Sequence, residues 1–137
     1  MARKFGKKNV IKIDPLAYNI GVIGESGIGK TSLAVKVCET LVGEDGYLLL
    51  NIGKEDGVDA IPDAVYEDVP DWKKFDEVSK DIIKNKNTDY KDLKVIIYDT
   101  MDELFRIAEP EVVRLHNKQH PEKQVTSIKA AFGGLTL

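Results

Sequence analysis

Lys30, Thr31 and Asp99 are the residues whose types and settings could act together in this chain, and the chemistry they suit is the handling of phosphate. Lys30 and Thr31 close the stretch Gly24-Glu25-Ser26-Gly27-Ile28-Gly29-Lys30-Thr31. Its form, G-x-x-x-x-G-K-[ST], is that of a phosphate-binding loop. Three glycines within six residues let the backbone take positive φ and turn its N–H groups inward as an anion-binding nest. The residues expected to wrap a polyphosphate are Gly24, Glu25, Ser26, Gly27, Ile28, Gly29 and Lys30, with Thr31 and Ser32 opening the helix that follows. The Lys30 ammonium can reach the β- and γ-phosphates, where it would act in catalysis. The Thr31 hydroxyl can hold Mg²⁺, and the positive end of the helix dipole faces the phosphates. Asp99 ends a separate apolar run and can hold the same ion through water.

These residues need elements to position them. Asn19-Ile20-Gly21-Val22-Ile23 is a short apolar run fit for a buried parallel strand entering the loop. After the loop, Leu33, Ala34, Val37, Cys38 and Leu41 recur at helical spacing up to Gly43. Tyr47-Leu48-Leu49-Leu50-Asn51-Ile52 reads as a second buried strand, set between Gly46 and Gly53. Ala64-Val65-Tyr66 is a candidate short extended piece. Asp71 can cap a helix carrying Trp72, Phe75, Val78, Ile82 and Ile83. The β-branched run Leu93–Tyr98 is a third strand that delivers Asp99 at its C-terminal end. Thr100-Met101-Asp102-Glu103 has the form of a capping box, with Leu104, Phe105, Ala108, Val112 and Leu115 inward and Pro110 expected to kink or break the helix. The capping role gives Glu103 a structural reason to be there, so it is not assigned as a catalytic base. At the N-terminus, residues 1–8 read as a flexible basic arm, and Val10-Ile11-Lys12-Ile13 alternates like an edge strand. Residues 9–137 then form one domain.

Composition excludes more than it identifies. The chain has 137 residues, enough for one modest core, and 42% hydrophobic with 31% charged residues describe an ordinary globular protein. No apolar run approaches the length of a membrane span. Cys38 is the single cysteine, so no intrachain disulfide can form, and a reducing, cytoplasmic setting fits. A net charge of −3 argues against whole-surface affinity for nucleic acid. His116 and His120 share a helix face without a third ligand nearby in sequence, which is too little for a zinc site.

Taken in order, the segments G-E-S-G-I-G-K-T, Y-L-L-L-N-I-G-K-E-D-G-V-D and V-I-I-Y-D-T-M-D-E-L resemble the RecA-like ATPases of the P-loop NTPase class. Within that group they are most similar to small phage-encoded nucleotide-binding proteins linked to DNA recombination. The resemblance covers roughly residues 17–117. It implies a three-layer α/β fold with a mostly parallel sheet, ATP with Mg²⁺ as ligands, and ATP hydrolysis in phage DNA recombination or replication. It also implies a catalytic glutamate just past the second strand. Glu55 matches that position, with Asp56 beside it. The Asp-Thr ending of the third strand resembles this group and differs from the Asp-Glu pair of typical AAA+ motors. Single-stranded DNA, recombination proteins and further copies of the chain are the partners implied, through segments absent from these residues.

Two other enzyme classes bear on the same loop. A GTPase would place glycine where Asp102 stands and would end an Asn-Lys-x-Asp motif with an acid. Asn117-Lys118-Gln119-His120 lacks that acid, and Asn85–Asp89 spaces it one residue too far. A small-molecule kinase shares the loop and the metal-binding aspartate and stays open, as does a nucleotide-binding module without turnover. The RecA-like resemblance further implies a strand between those entering the loop and ending in Asp99. Residues 125–132 read as a short helix instead, so a truncated core is expected.

Overall fold

A computed structural model describes residues 5–6, 14–53, 58 and 60–131. The expected edge strand at residues 10–13, and Glu55 and Asp56, lie outside the described residues.

Three parallel strands form the sheet. β1 (Tyr47–Ile52) lies between β2 (Tyr66–Val69) and β3 (Val95–Asp99). In register, Asn51 stands beside Asp68 on one side and Asp99 on the other. β1 is central because its run of leucines and Ile52 can be buried on both faces. Leu49 and Ile52 are fully buried. β2 begins at Tyr66, the last residue of the short extended piece expected at 64–66.

Helices cover both faces, giving three layers. α1 (Lys30–Val42) packs on one face, where Val35 and Cys38 meet Tyr47, Leu49 and Val58. α2 (Trp72–Lys84) and α3 (Met101–Gln119) take the other, where Phe75, Val78, Leu104 and Ile107 meet Leu50, Ile52 and Val69. Asp71 caps α2 by accepting from Lys74 N at 2.9 Å. The α/β fold with a parallel sheet is therefore as expected.

Several local expectations differ from the structure. α3 is one uninterrupted helix with Pro110 inside it. Pro110 and Arg106 are both exposed, so the carbonyl that loses its helical donor faces solvent and costs little. Residue 132 lies outside the described residues, and residues 120–130 make turns and bends where a short helix is expected from residue 125. They are clasped to α3 by Asn117, whose amide donates to Val125 O and whose oxygen accepts from Val125 N. The largest difference is at residues 19–23, which lie outside the sheet, with Ile23 99% exposed. An apolar run becomes a strand only where a neighbour offers backbone partners, and none of the three strands pairs with this one.

The helices carry a related signature. Leu33, Val37 and Leu41 on α1, and Met101 and Phe105 on α3, are exposed although the spacing gave most of them to the core. Of the expected α1 stripe Cys38 is buried, joined by Val35, while α3 buries Ile107 and His116. Among the described residues, β3 has a strand on one side only.

Candidate phosphate site

The site is assembled where the loop meets the C-terminal edge of the sheet. Gly27 and Gly29 have φ of 81° and 95°, a region closed to most side chains, so the loop can turn sharply into α1 only with glycine there. Gly29 is the N-cap residue of α1, with no side-chain cap. The first amides of the helix are consequently directed toward the loop, where the dipole favours an anion. Lys30 curls back and its Nζ donates to Gly24 O at 2.7 Å and Glu25 O at 2.5 Å, which holds the loop closed.

Thr31 and Asp99 are brought together from elements far apart in sequence. The Thr31 hydroxyl donates to Asp99 Oδ2 at 2.6 Å. Asp99 is the last residue of β3, and the Asp99–Thr100 peptide is cis. The in-register row Asp68, Asn51, Asp99 runs across the same edge. Asn51 is buried and donates from Nδ2 to Asp68 Oδ1 at 2.7 Å. Sequence reasoning passed over Asn51 inside an apolar run. Its signal is a polar residue next to the C-terminal end of that run, in register with the Asp99 that ends β3.

The hydroxyl and carboxylate at Thr31 and Asp99 are hard oxygen donors, the type Mg²⁺ selects when substrate phosphates and water complete its shell. Among the described residues no three His, Cys, Asp or Glu side chains cluster as a metal cage. His116 is occupied structurally, with Nε2 3.2 Å from Lys123 O and its ring 4.9 Å from that of His120. Cys38 is buried, and burial pushes its thiol pKa up, so it is an unreactive core group.

Glu103 differs from the sequence expectation. Its N–H donates to Thr100 Oγ1 at 3.4 Å, one half of the expected capping box. The carboxylate turns away from the cap to accept from Arg106 Nε at 2.7 Å. That arginine holds the Glu103 carboxyl below the usual carboxylate range.

A parallel sheet whose strand ends meet a glycine loop, with the helix after the loop tied to a strand-terminal aspartate, defines a P-loop nucleotide-binding core. The chain belongs to the AAA-domain family, whose sequence model, described as AAA domain, matches residues 16–135. No curated protein matches the chain, and no solved structure does.

Proposed function

We propose that this chain binds ATP with Mg²⁺ and hydrolyses it. The observation that carries the reading is the 2.6 Å contact between Thr31 and Asp99 directly after the glycine loop. On binding, the Lys30 ammonium exchanges the Gly24 and Glu25 carbonyls for phosphate oxygens. The loop amides and the α1 N-terminus fix the chain of phosphates. Thr31 and Asp99 would hold Mg²⁺, which supplies charge neutralisation on the transferring phosphoryl group. Glu55 is the carboxylate that the RecA-like resemblance offers for orienting water; on that assignment Glu55→Gln would keep binding and lose turnover. The resemblance to phage nucleotide-binding proteins supports a role in DNA recombination or replication. The test is a phosphate-release assay with and without single-stranded DNA. Release stimulated by DNA supports the whole reading. A phosphorylated acceptor in place of free phosphate would make the chain a kinase, and nucleotide binding without release would make it a binding module.

We infer that the outer edge of β3, open among the described residues, is covered in the working protein by further backbone, from this chain or a partner. The support is the one-sided pairing of β3 and the exposed apolar side chains of residues 20–23, α1 and α3. Apolar groups exposed on both helices, beside an open strand edge, are the pattern that added strands would cover.

A further inference from the structure

Gly53 follows β1 directly, and its N–H donates to Val69 O at 3.0 Å, so β2 fixes its backbone. Its φ is +83°, and a Cβ built there would overlap the Glu103 carboxylate, with Cδ at 2.9 Å and Cγ at 3.1 Å. A glycine at this point thus allows a carboxylate from α3 to lie over the C-terminal edge of the central strand. The Arg106 guanidinium steers it there, with Nε at 2.7 Å and Nη2 at 2.5 Å from the same oxygen, Oε2. Among the described residues, no hydrogen-bond donor reaches the other oxygen, Oε1. Gly53 lies two residues beyond Asn51, whose register partner is Asp99. A rise of about 3.3 Å per residue and a strand spacing of about 4.8 Å put the Gly53 Cα roughly 8 Å from that of Asp99.

We propose that Glu103 is the carboxylate that orients the attacking water for nucleoside triphosphate hydrolysis, with Arg106 and Gly53 as its positioning residues. The inference rests on the ATPase reading of the phosphate site. In the step, the water oxygen bonds to the γ-phosphorus as the bond from phosphorus to the β–γ bridging oxygen breaks. The electron pair leaves with the diphosphate. One water proton passes to the Glu103 carboxylate and on to the released phosphate. The pairing with Arg106 lowers the Glu103 pKa and so favours the ionised form, which is the one that can accept the proton.

The experiment compares wild type, Glu103→Gln, Arg106→Gln and Glu55→Gln. It measures binding of ATP with Mg²⁺ by calorimetry, phosphate release across pH, and helix content by circular dichroism. Glu103→Gln should bind ATP within threefold of wild type and release phosphate about a hundredfold or more slower, the usual contribution of a positioned acid–base group. Arg106→Gln should move the acid limb of the rate profile to higher pH, because Glu103 loses the partner that lowers its pKa. A merely structural role would leave that limb in place. On this proposal Glu55→Gln keeps phosphate release within threefold of wild type, and the proposal is overturned if Glu103→Gln does so and Glu55→Gln does not, or if both do. It is equally overturned if wild type binds ATP and releases no phosphate with or without DNA. A wild type that binds no nucleotide refutes the phosphate-site reading itself, and the binding arm separates that result from the others.

Discussion

Replacing Thr31 with Val removes one hydroxyl and keeps the side-chain volume. In the structure that hydroxyl is a donor to the Asp99 carboxylate at 2.6 Å, in a half-buried setting. A hydrogen bond to an ionised group nets about 1.5–3 kcal/mol. Solvent reaches both partners, so the lower end applies, about 1.5 kcal/mol or roughly a tenfold change in an equilibrium constant. Urea unfolding should show that loss in Thr31→Val at an unchanged m-value. The same hydroxyl is a proposed Mg²⁺ ligand, so the gain in ATP affinity on adding Mg²⁺ should shrink by about tenfold or more. Thr31→Ser keeps the oxygen and should stay close to wild type in both assays. The reasoning is refuted if Thr31→Val matches wild type in stability and in Mg²⁺ response, or if Thr31→Ser is as damaging as Val.

Leu49→Ala removes a side chain of 0% exposure in the central strand and should cost about 2–5 kcal/mol. Ile23→Ser, at a fully exposed position, should stay within about 0.5 kcal/mol of wild type; equal losses in urea would contradict the placement of residues 19–23 outside the core. Tyr90 donates its hydroxyl to Asp81 Oδ2 at 2.6 Å, and this bond pushes its pKa up to about 12. The raised value belongs to the folded state, so the bond's stabilisation is complete below pH 10 and is lost as pH rises toward 12. Ultraviolet titration should show a late tyrosinate that Tyr90→Phe removes, and an unchanged curve would count against the bond.

Much of the site could be read from residue order, because the chemistry fixes the local sequence. A loop that must turn twice through positive φ needs glycine at Gly27 and Gly29, and the lysine and threonine follow from what phosphate and metal require. β1 was legible at its exact limits because a short run of leucines between glycines can be buried only one way. What escaped depends on partners that a local window does not contain. The apolar spacing of residues 19–23 specifies a strand only if another strand lies beside it. Phe105 fits a helix period as well as Ile107 does, yet it is 68% exposed while Ile107 is buried, because the sheet reaches only one of the two stripes. Glu103 was assigned to a capping box by its spacing from Thr100. Its side chain answers to Arg106 and Gly53 instead, a contact made across the chain.

The central claim is that residues 24–32 form a nucleotide-phosphate site with Lys30 at its centre. Calorimetric titration of ATP with Mg²⁺ into the wild-type chain and Lys30→Ala tests it most directly. Losing the ammonium leaves phosphate charge unpaired in the loop, and truncating one partner of a hydrogen-bonded charge pair costs binding about 2–5 kcal/mol. The account predicts binding by wild type and affinity weakened about a hundredfold or more in Lys30→Ala. Equal affinity of the two proteins for ATP would contradict it.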